Sequence, residues 1–256
     1  MRVRKAVIPV AGFGTRFLPA TKTVPKTMLP IVDKPVIQYV VEGAVAAGIE
    51  QVILVTSSNC KALEDYFDTN FELEATLQKT GKLALLEQMR AITNMVDVVY
   101  VRQKQPLGNG HAVLMARDIV GDEPFAMQWG DDVLLNDPPV IRQLMDEAER
   151  RDAPVVGVRR VGPDDFEKYG MVQVESIPGE PTNGPVMRAI IMVEKPERSQ
   201  SPSDLAQLGG YVLTPDIFPL LEASQIGPSG EIYLADAVLQ LVAQRPVYAY
   251  AFEGRR

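Results

Sequence analysis

The chain has 256 residues, 46% apolar and 23% charged, enough to bury one large core and too ordered in composition for a disordered protein. Its net charge of −7 argues against a general nucleic-acid binder, because affinity for a phosphate backbone rests on many Lys and Arg contacts. Cys60 is the one cysteine and His111 the one histidine, which excludes an internal disulfide and a zinc site built from several such ligands, so a reducing, cytoplasmic setting is expected.

The chain opens Met1-Arg2-Val3-Arg4-Lys5 and continues into an apolar run that stops at Gly12. That run is too short to span a membrane and lacks a small-residue cleavage site, so neither secretion nor a membrane partner is expected. A β-branched stretch from Lys5 to Val10 ends in Ala11-Gly12-Phe13-Gly14-Thr15-Arg16, the pattern of a buried strand entering a glycine loop. The spacing next predicts a helix over Val36–Ala47 capped by Gly48, then a buried strand over Gln51–Thr56, completing a β-loop-α-β unit. A helix around Lys61–Phe67, a polar helical stretch around Leu73–Ile92 and a strand over Val96–Val101 follow. After these come a loop at Gln105–Gly110, a helix over His111–Ile119 and a strand over Phe125–Trp129. Strands separated by helices predict an α/β fold with a mostly parallel central sheet covered on both faces.

Beyond Asp132 the pattern changes to a helix over Pro139–Arg151, a strand over Pro154–Arg159 and shorter strands around Gly170–Ser176 and Met187–Val193. Pro178–Pro185, rich in Gly and Pro, reads as the turn between the last two, and Ser199–Ser203 as a surface loop. No internal repeat, long linker or low-complexity tract divides the chain, so a single domain over 1–256 is expected, with a small β-rich elaboration in its second half.

Charge is placed unevenly. Up to residue 34, seven basic residues (Arg2, Arg4, Lys5, Arg16, Lys22, Lys26, Lys34) stand against one acid, Asp33, so a cationic pocket in an acidic body is expected to suit a small polyanion. Two readings are open for the glycine loop: a tight turn after the first strand, or a cradle whose backbone N–H groups approach phosphate oxygens. Its spacing is neither G-x-G-x-x-G nor a P-loop, so a dinucleotide fold and a Walker ATPase both fit poorly. Ten residues after Arg16, Pro25-Lys26-Thr27-Met28-Leu29-Pro30 fixes Lys26 between two prolines, a framing that a solvated lysine does not need.

Gly12-Phe13-Gly14-Thr15-Arg16, this proline-framed lysine and Val32-Asp33-Lys34-Pro35 together resemble the signature of the sugar-phosphate nucleotidyltransferases, and more narrowly of the bacterial UTP–glucose-1-phosphate uridylyltransferases. The resemblance continues through Phe67-Asp68-Thr69, Val101-Arg102-Gln103, Gly108-Asn109-Gly110-His111-Ala112 and Gly130-Asp131-Asp132. It runs on through Tyr169-Gly170, Glu194-Lys195-Pro196 and Gly209-Gly210-Tyr211-Val212-Leu213, and so covers essentially the whole chain. It implies a Rossmann-like domain of the nucleotide-diphospho-sugar transferase type, with a nucleotide-binding part at about 1–132 and a sugar-binding part at about 133–256.

The reaction so implied is in-line attack of glucose 1-phosphate on the α-phosphorus of UTP, giving UDP-glucose and pyrophosphate, with Mg²⁺ as cofactor. By the same resemblance Arg16, Lys26 and Asp131 are the catalytic set, Asp131 holds the metal, and Asp132 is its substitute. Ala11, Gly12, Gly14, Gln103 and Gly108 would bind the nucleotide, and Gly170, Glu194 and Lys195 the sugar phosphate. A homo-oligomer is expected. Taken singly, several of these residues have plainer readings: Asp131-Asp132 as a turn after a strand, Gln103 as a solvated amide, Glu194-Lys195 as a soluble strand edge, His111 as structural rather than catalytic. Glu194 and Lys195, adjacent at a strand end, would point to opposite faces unless the backbone twists there.

Two competing functions stay open: the same fold acting on dTTP or another sugar phosphate, and a catalytically weak homologue that binds sugar nucleotide and modulates a partner. Three departures bear on them. Asn109 stands where an apolar residue is usual and could alter the base pocket. Gly210 replaces an arginine common before Tyr-Val-Leu, so that residue's anchoring contact is lost. Phe252-Glu253-Gly254-Arg255-Arg256 stops before the place where the resemblance leads one to expect a second metal-binding aspartate and C-terminal helices.

Overall fold

A strand that is apolar at every position has to be covered on both faces, and the first half of the chain meets that demand by alternating strands with helices. The computed structural model describes residues 1–58, 60–181, 184–227 and 230–254. In it, β1 (Lys5–Pro9) leads through the glycine loop and three short 3₁₀ turns to a two-residue ribbon, β2 (Pro30–Ile31) and β3 (Lys34–Pro35), and then to α1 (Val36–Ala46). β4 (Gln51–Thr56), α2 (Lys61–Phe67), α3 (Phe71–Lys79), α4 (Leu83–Thr93), β5 (Asp97–Arg102), α5 (Asn109–Met115), α6 (Arg117–Val120) and β6 (Phe125–Met127) complete this half. The second half holds α7 (Val140–Arg151), β7 (Val155–Arg160), β8 (Gly170–Glu175), β9 (Val186–Glu194), β10 (Leu205–Leu213), α8 (Ile217–Ala223), α9 (Leu234–Gln244) and β11 (Tyr248–Ala251).

Nine strands form one sheet in the order β5-β4-β1-β6-β10-β7-β11-β9-β8. β5, β4, β1 and β6 are parallel, as their apolar runs predict. Antiparallel pairing dominates from there, because β10 enters between β6 and β7 in the opposite direction. β8 pairs with β9 and, through Ala206 and Met171, also with β10, so the far part of the sheet curls back on itself.

The core lies on both faces, with successive side chains of each strand alternating between them. Val7, Ile53, Val55, Phe125 and Met127 pack with α5, α8 and α9, whereas Ala6, Ile8, Val52, Leu54 and Ala126 pack with α1 and α7. Burial of that kind contributes roughly 25 cal/mol per Å² and holds the strand ends, where the loops diverge, in fixed positions.

Several elements depart from the sequence pattern. The polar stretch expected over Leu73–Ile92 is two helices, broken where Gly81 takes φ +72° and Lys82 N–H turns back to the Leu77 carbonyl at 2.9 Å. The helix expected from His111 begins at Asn109 and is interrupted at Ala116, and the strand expected to reach Trp129 ends at Met127. In the turn expected at Pro178–Pro185, Thr182 and Asn183 lie outside the described residues, as do Arg255 and Arg256 at the chain end. β10, α8, α9 and β11 are elements the sequence pattern does not mark. β10 is buried at all nine positions, yet Gly209-Gly210 in its middle reads as a break.

Those glycines make a bulge, since the pairing of β10 with β7 shifts register between Gln207 and Tyr211. Gly210 has φ +96°, and a Cβ there would stand 2.4 Å from the Met127 carbonyl oxygen. The backbone of this chain therefore has no room for the arginine that the resemblance suggests at that position. Gly210→Ala is expected to lower the free energy of unfolding by at least about 2 kcal/mol. Urea denaturation measures it, and an unchanged midpoint and slope would show that the bulge tolerates a side chain.

Candidate active site

The cationic side of the site is built by close packing of the glycine loop on the lysine segment. Gly14 adopts a left-handed conformation, φ +62°, and a Cβ there would meet the Lys26 Cβ at 2.9 Å. Thr21 Oγ1 donates to the Gly14 carbonyl at 2.8 Å and holds the loop in place. Arg16 lies in the 3₁₀ turn Thr15–Phe17, exposed, and pairs with no carboxylate among the described residues. Lys26 opens another 3₁₀ turn, and its Nζ donates to Asp131 Oδ2 at 2.6 Å. With Lys26 23% and Asp131 42% exposed, such a pair adds little to stability, so its value lies in fixing an ammonium and a carboxylate at the rim of one cavity.

Asp131 follows β6, which ends beside β1, and this register carries the acidic turn up to the lysine. Gly130 permits the approach, because a Cβ there would lie 2.6 Å from Val10 Cγ1. Asp132 is tied to the far side: its Oδ2 receives the Gly209 N–H of the β10 bulge at a long 3.4 Å.

From the opposite wall come Glu194 and Lys195. Lys195 has φ +42°, and its N–H donates to the Tyr169 carbonyl at 3.1 Å. This twist turns both neighbouring side chains into the same cavity, with Lys195 Nζ 3.4 Å from Glu194 Oε1. Glu194 is only 14% exposed, and burial pushes its carboxyl pKa up against the opposing pull of Lys195.

Arg16, Lys26, Asp131, Asp132, Gly170, Glu194 and Lys195 all line one cavity of about 260 Å³ at the strand ends. Gln103, Gly108, Ala11, Gly12 and Gly14 do not line it; Ala11 and Gly12 border a separate hollow of about 510 Å³ beyond the loop. Gln103, one residue past β5, is buried, and its Nε2 donates to the Gly108 carbonyl at 3.0 Å. Gly108 needs its φ of +94° and its lack of a side chain, since a Cβ would press on Glu231 and on the Ile232 backbone. Asn109, at an expected apolar position, receives the Leu234 N–H on Oδ1 at 2.8 Å, so it caps α9 from across the loop while it lines the cavity.

The cavity also contains Trp129, Lys168, Tyr169 and Gln207, which the sequence reading does not single out for the site. Trp129 Nε1 donates to Gln207 Oε1 at 3.2 Å, tying the β6 loop to β10. Lys168 and Tyr169 could have been found from their place beside Gly170; nothing in the sequence announces Gln207.

A cleft of opposed cationic and acidic groups, set where parallel strands β1 and β6 end across from the antiparallel β8–β9 pair, is of a kind that suits phosphorylated ligands in an α/β protein. Residues 5–255 match the nucleotidyl transferase family. A UTP–glucose-1-phosphate uridylyltransferase of Bacillus subtilis strain 168 is 49% identical over 255 residues, covering 100% of this chain and 86% of its own. One from Staphylococcus saprophyticus, designated 1, is 48% identical over 256 residues, covering 100% of this chain and 88% of its own. Among solved structures, a UDP-glucose pyrophosphorylase complexed with UDP-glucose superposes with a TM-score of 0.88 at 40% identity, over 99% of this chain and 92% of its own. A UTP-bound UGPase from Acinetobacter baumannii gives 0.89 at 42%, over 99% and 87%. The chain belongs to the nucleotidyl transferase family, in the branch of the UTP–glucose-1-phosphate uridylyltransferases.

The burial of Glu194 has a consequence for stability. Because its folded pKa is raised, the ionised form carries a cost that is full above that raised value and disappears as pH falls below the ordinary carboxylate range. Glu194→Gln is therefore expected to be more stable than the parent at pH 8, with the gap closing toward pH 4. Thermal or urea unfolding across that range reads the effect, and a gap that widens on acidification would contradict it.

Proposed function

We propose that this chain transfers UMP from UTP to glucose 1-phosphate, giving UDP-glucose and pyrophosphate. The reading is carried by the convergence of Arg16, Lys26 and Lys195 with Asp131 and Glu194 on one cavity, in a chain that aligns throughout with relatives named for this reaction. In the reaction a phosphate oxygen of glucose 1-phosphate forms a bond to the α-phosphorus of UTP as the bond to the β-phosphate bridging oxygen breaks, and that oxygen leaves with the pyrophosphate. The second pKa of a phosphate monoester is about 6, so the nucleophile is already ionised near neutrality and no general base is required. What the protein must supply is orientation of two mutually repelling anions and neutralisation of the charge that develops on the leaving group.

Each residue then has a part. Arg16, forked and without a carboxylate partner among the described residues, grips the triphosphate, while Lys26 places a compact charge by the α-phosphate and the attacking oxygen. Lys195 pairs with the phosphate of the sugar, Glu194 accepts hydrogen bonds from its hydroxyls, and the Gly170 backbone borders the ring. The nucleoside is assigned to the backbone of Ala11, Gly12, Gly14 and Gly108 and the amide of Gln103. The nucleotide thus falls to residues of about 1–132 and the sugar to about 133–256.

Asp131, with Asp132 beside it, offers hard carboxylate oxygens to the cavity in which the phosphates would lie, a donor set that fits Mg²⁺, which takes one or two carboxylates and completes its shell with phosphate oxygens and water. When bound, the ion would supply further neutralisation of the triphosphate. The lone buried thiol of Cys60 is in keeping with a reducing cytoplasm. A homo-oligomer is in keeping with the exposed Phe13, Phe17, Leu18 and Val32.

Lys26→Ala and Asp131→Asn are each expected to lower turnover about 10²- to 10³-fold with little change in unfolding free energy. Pyrophosphate release from UTP and glucose 1-phosphate measures this, and near-normal turnover in either variant removes that residue from its role. The same assay is expected to show UTP favoured over dTTP and activity lost in EDTA; a parent protein that binds UDP-glucose but releases no pyrophosphate would overturn the proposed reaction.

A further inference from the structure

Reading uracil requires an acceptor that faces the N–H at ring position 3, and an amide side chain offers one reliably only when its orientation is fixed. Gln103 is 8% exposed, and its Nε2 lies 3.0 Å from the Gly108 carbonyl oxygen and 3.0 Å from His111 Nδ1. The carbonyl oxygen can only accept, so the NH₂ end of the amide must face the loop; a flipped amide would set two oxygens against each other. The second N–H is then directed at His111 Nδ1, which receives it only if unprotonated, leaving the imidazole proton on Nε2. Both donors of Gln103 are consumed in this way, and its Oε1 receives no hydrogen bond from a described residue.

His111 is placed to keep that state. It sits in α5, and its burial pushes the imidazole pKa down, which disfavours an imidazolium. Gly108 and Gly110 hold the loop against the backbone of Ile232 to Leu234, and the Gly110 N–H donates to the Ile232 carbonyl at 2.9 Å, so the imidazole and the amide approach on a firm support.

We infer that His111 is a positioning residue for nucleobase selection: by accepting from Gln103 Nε2 it locks Oε1 toward the base. The site thereby takes a pyrimidine that carries an N–H at position 3 and refuses one with a lone pair there. Uracil has the N–H, whereas cytosine would bring an acceptor against Oε1. A relay of this kind uses the chain's single histidine without giving it any proton to transfer. It rests on the uridylyltransferase reading, and it would stand apart from that reading in experiment.

UDP-glucose synthesis by the parent protein comes first, since a parent that makes none fails at the underlying reading and takes the relay with it. Given an active parent, His111→Leu is expected to raise KM for UTP about tenfold and to narrow the preference for UTP over CTP, with kcat changed less than about threefold. His111→Asn, whose Oδ1 can stand in for Nδ1, is expected to restore most of the loss. In Gln103→Ala, adding His111→Leu should have no further effect, because the histidine acts through the amide. An unchanged KM and base preference in His111→Leu, or a full additional loss on top of Gln103→Ala, would overturn the inference. The single histidine also allows a test that needs no variant: ¹⁵N spectra of the untagged parent at neutral pH should show the Nε2–H tautomer, and an Nδ1–H tautomer or an imidazolium would refute it.

Discussion

The contact between Lys26 and Asp131 is the constraint on which the site depends. The two residues lie 105 positions apart, and Nζ stands 2.6 Å from Oδ2. Neither side chain is sealed from water, so the pair is not a cornerstone of stability; it is a cationic and an anionic group brought to one spot. Reaching that spot requires β1 and β6 to run parallel side by side, which in turn requires a sheet buried on both faces. The core described by two layers of helices is in this sense the means by which charge is held in register.

Close approach is the second theme, and glycine supplies it. The glycine loop touches Lys26 only because Gly14 has no side chain, the acidic turn passes Val10 only because Gly130 has none, and the β10 bulge reaches Met127 only because of Gly210. The opposite wall uses a different device: Lys195 itself takes a left-handed conformation, so that adjacent residues on a strand end, which ordinarily face apart, face one cavity. Strain of this sort at a non-glycine residue is accepted where a side-chain position matters more than a relaxed backbone.

Much of the first half was legible from the residues alone. α2 spans Lys61–Phe67 and β4 spans Gln51–Thr56 as the pattern indicates, because in each the apolar spacing and the flanking breakers agree. The glycine loop and the proline-framed lysine stood out as well, and in the fold they pack on each other, with Gly14 against the Lys26 side chain. The second half was less readable for a physical reason: β10 hides a bulge behind two glycines, and its pairings with β6, β7 and β8 are all long-range, with no trace in local periodicity. Gln207 and the orientation of Gln103 belong to the same class, for they are set by contacts across the sheet and the loop. Asn109 is set in the same way: at a position expected to be apolar, its Oδ1 receives the Leu234 N–H at the start of α9.

The reacting phosphates are expected in one place, between Arg16 and Lys26 on one side and the Glu194–Lys195 pair on the far wall. A crystal structure of this chain with UDP-glucose and Mg²⁺ tests that most directly. The diphosphate should lie within hydrogen-bonding reach of Arg16 or Lys26 on one side and Lys195 on the other, with the ion on Asp131. A diphosphate seated away from all three cations, with Asp131 still closed on Lys26, would contradict it.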